Sequence, residues 1–351
     1  MFYNVAYSES PKITEEVFLR REFGINTVYV STSEDFLRVS EKSTNGVTIV
    51  VSTNPVFWIP TLNKLKKNSV IFILIGNETY DPKVFNSLND LQSLRHAFVY
   101  NLPTNISSKN IIGPIIGNIY DGGLNKTNSA GSVFRDARIS HSLKAKFKNI
   151  SIRYPCSVFP QGYSNNFAEK IVKKINIIES KSLLSKSVSD LILAERNNIY
   201  DFAFIGQPTN RRREIFLKNI KNLPRSIVLH NNEFKGIYED NDETYINQLL
   251  SAKFILVPPG FYNNSNHRYT ESLICGALPV ILSNNSLDPS TNSNWTNQLS
   301  YINKYSVKAQ VRYLACIDID VYQKFHKLAK KINFQQIEQT KNLISKIIGW
   351  D

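Results

Sequence analysis

Val70-Ile71-Phe72-Ile73-Leu74-Ile75 is apolar at every position, and shorter runs of the same kind recur along the chain. A strand with one wet face alternates apolar and polar residues, whereas an uninterrupted run implies cover on both faces. On this pattern strands are expected at 2–6, 27–30, 47–51, 70–75 and 97–101, with a last one within 150–158. Residues 14–23 and 56–66 between them are helix-compatible. Strands alternating with helices predict an α/β fold built on a parallel sheet.

A second series follows a polar stretch at 164–197, where Ile171, Ile175, Ile178, Leu183 and Leu184 keep a helical period. It reads strand 202–206, helix 213–222, strand 226–230, helix 243–252, strand 254–257, a further helix, and strand 280–282. The tail from 321 to 350 carries Phe325, Leu328, Ile332, Ile337, Ile344, Ile347 and Ile348 on a rough helical stripe, the mark of a core-facing helix. At 351 residues the chain is long enough for two domains with separate cores. The expected division is 1–165, a helical connection at 166–197, 198–320, and terminal helices at 321–351.

The most chemical stretch is 258–282, PPGFYNNSNHRYTESLICGALPVIL. Pro258-Pro259-Gly260 stops the strand before it, and an Asn/Ser-rich turn leads into a helix with Arg268 and Glu271 on one face. Gly276 and Pro279 are expected to close that helix. A cation and a carboxylate at a strand–loop–helix mouth suit a ligand with phosphates and sugar hydroxyls, and a helix N-terminus adds potential favourable to an anion. The bland alternative is a surface i,i+3 ion pair, which would not need so constrained a frame.

This segment resembles the sugar-nucleotide signature of exostosin-like glycosyltransferases: an apolar strand, Pro-x-Gly, a Ser before Arg-x-x-Glu, and a small-residue turn before Pro-Val. The matching residues are Pro258, Gly260, Ser265, Arg268, Glu271, Gly276 and Pro279-Val280, about 25 residues of close match with weaker echoes beyond. The resemblance implies the GT-B architecture of two facing Rossmann-like domains and a C-terminal crossover helix. The first domain would bind the acceptor and the second the nucleotide sugar, with inversion at the anomeric carbon. Glu271 would hold the donor ribose, Arg268 would lie near the diphosphate, and Pro259 and His267 would border the donor.

Gly206-Gln207-Pro208-Thr209-Asn210-Arg211-Arg212-Arg213 joins a strand to a helix, and a Gly turn with a basic helix start is a plausible diphosphate site. It also resembles the Phe-x-Gly…Arg element that opens the second lobe in such transferases, with Arg213 the first choice for phosphate and Arg212 the second. Three exposed arginines at a helix start are the plainer reading.

Inverting transfer needs a base for the acceptor hydroxyl. Glu78 follows a strand end, where ligands of open α/β sheets sit, and IFILIGNE is similar to a strand–Gly–x–Glu element of exostosin-like relatives. Asp121, in a Gly-rich turn, and Glu9, after the first strand, are the other candidates. Each could equally be an ordinary loop carboxylate.

Several chemistries are excluded. No Gly-Lys-Ser/Thr completes a Walker A loop, and no Gly-x-Gly-x-x-Gly follows an early strand as a dinucleotide enzyme would need. No His-x-x-x-His and no Gly-x-Ser-x-Gly appears. Asp318-Ile319-Asp320 has a metal-binding spacing but lies late in the second lobe, where it reads as a loop or helix N-cap. No metal and no cofactor is therefore expected, and arginines would stabilise the leaving diphosphate. Cys156, Cys275 and Cys316 are odd in number and widely spaced, which fits a reducing cytoplasm.

The formal charge of +13 favours anionic partners: an acidic glycan or lipid-linked acceptor, or a phospholipid surface with peripheral association. Nucleic acid is not favoured, because the basic stretch 126–174 lacks an aromatic platform or any zinc-finger, RNP or KH signature. No apolar run is long enough to span a membrane, and the first residues lack a signal-peptide layout. The expectation is a cytoplasmic, metal-independent transferase of surface-polysaccharide or glycoconjugate synthesis. The rival is a non-catalytic nucleotide- or glycan-binding protein of the same fold.

Overall fold

The computed structural model describes residues 3–7, 15–41, 46–52, 57–65, 69–75, 82–99, 101–103, 118–120, 153–160, 162–174, 199–206, 214, 217–218, 223–229, 242–257, 267–280 and 307–349. The chain divides into two compact units, one of Met1–Pro160 with Gln336–Asp351 and one of Gln161–Gln335.

In the first unit the elements run β1 (Tyr3–Tyr7), α1 (Glu16–Phe23), β2 (Ile25–Tyr29), α2 (Ser33–Glu41), β3 (Val47–Ser52), α3 (Ile59–Leu62), β4 (Ser69–Leu74), α4 (Pro82–Leu88), β5 (Leu94–Val99), β6 (Asn101–Pro103), β7 (Asn118–Tyr120) and β8 (Cys156–Val158). Six of the strands form one sheet in the order β2-β1-β3-β4-β5-β8, parallel throughout. β3 and β4 sit inside this sheet and are buried along almost their whole length, as their apolar runs Ile49–Val51 and Val70–Leu74 require. The edge strand β2 is different: Val28 and Tyr29 are exposed, and only Ile25 among its residues is fully covered. β6 and β7 make a separate parallel pair.

α1 ends at Gly24, whose φ of 69° accommodates the left-handed cap and lets its N–H reach the carbonyl of Arg20. The core of this unit is aromatic. Trp58 stacks on Phe36 with centroids 5.0 Å apart, and Phe159 meets Phe18, Phe23 and Phe98.

The second unit contains α5 (Asn165–Lys174), β9 (Tyr200–Ile205), β10 (Ser226–Leu229), α6 (Asp242–Ser251), β11 (Ala252–Leu256), α7 (His267–Ile274), β12 (Leu278–Val280), α8 (Val307–Ala315) and the first part of α9 (Ile319–Ile348), whose residues from Gln336 onward belong to the first unit. Its four strands are parallel in the order β10-β9-β11-β12. Phe202, Phe204, Phe254, Leu256, Leu273 and Leu278 build the core, with Val311, Leu314 and Tyr322 closing it from α8 and α9. The protein is thus α/β, with parallel sheets wound by helices in both units.

Three local expectations are corrected. Among the described residues, the helix expected over 56–66 is the single turn α3, and the strand expected within 150–158 covers Cys156–Val158. Pro279 does not lie between helix and strand but inside β12, paired opposite Ile255. β12 ends the described sheet, and an edge tolerates the missing N–H of a proline. Helices α2, α4 and α8 were not foreseen. Asp318 is the N-cap of α9, its carboxylate accepting from the Asp320 N–H at 2.7 Å.

Candidate functional site

The winding of the second unit singles out one place in its sheet. β9 is flanked by β10 on one side and β11 on the other, so the chain leaves β9 in one direction and returns across it. The strand order therefore reverses between β9 and β11, and open α/β sheets bind ligands outside the carboxyl ends of strands at such a point. Gly206 is the residue immediately after β9.

Arg268, in the first turn of α7, lies on that glycine. A methyl group placed at Gly206 would stand 2.7 Å from Arg268 Nη2 and 3.0 Å from Cζ, so the guanidinium would have to shift to admit it. The bare glycine backbone, at φ 154°, allows this close approach. α7 also ends by design: Ala277 N–H reaches the Ser272 carbonyl and Gly276 N–H the Leu273 carbonyl, a Schellman closure with Gly276 at φ 74°. Tyr322 from α9 brings its hydroxyl to the Gly276 carbonyl at 3.1 Å and the Lys253 carbonyl at 3.0 Å, tying the end of α7 to β11.

Glu271, expected to hold the donor ribose, is completely buried, and both carboxylate oxygens accept hydrogen bonds from within the same unit. Oε1 accepts from the Ser164 backbone N–H at 3.0 Å and from Ser164 Oγ at 2.9 Å, while Oε2 accepts from the hydroxyl of Tyr245. Ser164 caps α5, its Oγ accepting from Phe167 N–H and its carbonyl from Ala168 N–H, so Glu271 sits against a helix N-terminus that favours a carboxylate. Tyr245 comes from α6 and is itself buried. One carboxylate thus joins α5, α6 and α7. Three of its roughly four acceptor sites face protein donors, and it ties the helix that carries Arg268 to α5 and α6.

Tyr269, next to Arg268, has its phenol held un-ionised well above the ordinary range by burial. Thr270 reaches Asn333 of α9 at a long 3.4 Å. His267 is the first residue of α7 and, like Arg268, is half-buried.

Gly206, His267, Arg268 and Glu271 are therefore placed, and Gly206 and Arg268 are brought together. Glu78, Asp121, Glu9, Arg212, Arg213, Pro259, Gly260 and Ser265 lie outside the described residues. Among the described residues no group of three or more His, Cys, Asp or Glu side chains is arranged to hold a metal ion, and no helix is long and apolar enough to cross a membrane. Ser164 and Tyr245 had no signal in the sequence: they are 107 and 26 residues from Glu271 and belong to no motif with it.

No family model and no curated protein matches this sequence. A crystal structure of an alpha1,3-fucosyltransferase matches 96% of this chain and 81% of its own at 10% sequence identity and a TM-score of 0.41, a likeness too slight to carry an assignment.

Proposed function

We propose that this chain is a glycosyltransferase of the exostosin-like kind, moving a sugar from a nucleotide donor to a glycan or glycoconjugate acceptor with inversion. The observation that carries the reading is the Arg268 guanidinium resting on Gly206 at the strand-order reversal of the second sheet. A guanidinium beside bare backbone offers a diphosphate a planar donor fork at close range. The N-terminal N–H groups of α7 add to the same potential.

In this reading the departing nucleoside diphosphate is stabilised by Arg268, together with Arg213 and Arg212, without a metal ion. Gly260 and Ser265 border the donor. The base that takes the acceptor proton is Glu78 or, failing that, Asp121. The positive charge of the chain suits an acidic or lipid-linked acceptor.

The test is nucleotide release from a panel of UDP-, GDP- and CMP-sugars, with and without acceptor glycans and with and without chelator. Release that survives chelator and depends on Arg268 supports the reading. Tight binding of one donor with no release or transfer at any acceptor would make the protein a binder of the same ligand instead.

A further inference from the structure

We infer that Ser164 and Tyr245 are positioning residues for Arg268, acting through the buried carboxylate of Glu271. Glu271 lies three residues after Arg268 on α7, so whatever fixes its side chain fixes the turn from which the guanidinium projects. That fixing comes from two other helices. α5 contributes the backbone and hydroxyl donors of its cap residue Ser164, and α6 contributes the Tyr245 hydroxyl. Ser164, Tyr245 and Glu271 are all buried, so these bonds do not compete with solvent and the arrangement is rigid.

Gly206 shows what the rigidity is for. The space over its Cα is filled by the tip of a long, flexible side chain. An added methyl group is accommodated by rotation of the arginine side chain or by a shift of the turn that carries it, and the brace from α5 and α6 withholds the second. The carboxylate's work is thus to hold Arg268 against the carboxyl end of β9, and the diphosphate, not the ribose, is the part of the ligand that feels its loss.

The structural half of this inference stands apart from the proposed function, and the ligand half rests on it. Two sets of variants separate the two. The first is a stability cycle without ligand: Gly206→Ala in the wild-type chain and in Tyr245→Phe, with Ser164→Ala as the second background should Tyr245→Phe fold poorly. Backbone strain at Gly206 is common to every arm and cancels. The expected result is coupling, with the acceleration of hydrogen exchange in α6 and α7 on Gly206→Ala at least about fivefold smaller in the loosened backgrounds. Equal penalties in all backgrounds overturn the inference whatever the protein binds.

The second set is binding of UDP, GDP and CDP against uridine, guanosine and cytidine. Tyr245→Phe or Ser164→Ala should weaken the diphosphate that binds by about tenfold and leave its nucleoside within about twofold, and neither should weaken it further in Arg268→Ala. Equal loss for nucleoside and diphosphate would return Glu271 to the ribose and overturn the inference. Failure of the wild-type chain to bind any of the six would instead refute the proposed function, leaving the stability cycle to decide the inference.

Discussion

Replacing Glu271 by Ala should loosen the second unit rather than merely weaken a ligand. The substitution strands three donors: the N–H and Oγ of Ser164 and the hydroxyl of Tyr245, on residues that are almost wholly out of water. A buried donor left without a partner costs about 1–3 kcal/mol. The Ser164 hydroxyl can rotate to another acceptor, and removal of a buried charge returns several kcal/mol of desolvation. The net expectation is a loss of about 2–4 kcal/mol, between the single-donor and three-donor limits. Glu271→Gln keeps an acceptor for Ser164 and forces only the Tyr245 hydroxyl to reverse its role, so its loss should be about 1 kcal/mol. Hydrogen exchange of peptides covering α6 and α7 reads this locally, which matters in a chain of two units whose unfolding need not be two-state. At about 1.4 kcal/mol per decade, exchange in Glu271→Ala should accelerate roughly 30- to 700-fold. Acceleration below threefold, or Gln as damaging as Ala, would refute the brace.

Two predictions concern the first unit. His96 is buried on β5, with Nε2 2.9 Å from Ser157 Oγ and its ring 4.5 Å from Phe98, and burial pushes its pKa down to about 4. The folded state keeps it neutral while the unfolded chain takes up a proton below about 6.5, so stability should be flat above that pH and fall by about 3 kcal/mol between pH 6.5 and 4; urea midpoints across that range check this, and an unchanged slope in His96→Gln would contradict it. Trp58 is fully buried and stacked on Phe36, yet its Nε1 has no hydrogen-bond partner among the described residues. Trp58→Phe should therefore cost less than about 1.5 kcal/mol in urea unfolding against about 3–5 for Trp58→Ala, and similar losses for the two would show the indole N–H to be satisfied.

Much of the architecture was legible because it rests on local pattern. β3, β4, β9 and β11 each contain an apolar run, Ile49–Val51, Val70–Leu74, Phe202–Ile205 and Phe254–Leu256, and a strand buried on both faces leaves that trace in sequence. α7 was legible at both ends, from the Asn-rich turn before it and from Gly276 after it. α2 and α4 were less so: each is under three turns long, and α2 buries only Phe36 and Ser40, too few for a clear helical period. The position of Pro279 was misread because whether a strand is an edge depends on its neighbours, which no local signal records.

The site divides in the same way. The proximity of Gly206 and Arg268 was foreseeable only as two separate motifs of one ligand. That the arginine lies on the glycine is a tertiary fact, since the two are 62 positions apart in sequence yet adjacent in the folded unit. Glu271 was chosen for the right spacing, but spacing three along a helix says which turn a carboxylate leaves and not what it meets. Its partners come from α5 and α6, and a buried acceptor is claimed by whichever donors the packing brings to it.

The central claim, a diphosphate held where Arg268 meets Gly206, is tested most directly by calorimetric titration of nucleoside diphosphates and their nucleosides into the wild-type chain and Arg268→Ala. One diphosphate should bind the wild-type chain, and Arg268→Ala should weaken it by about 1.5–3 kcal/mol, the worth of a hydrogen bond to a charged group, with the nucleoside nearly unaffected. A folded Arg268→Ala protein that binds the diphosphate as tightly as the wild-type chain would contradict the account.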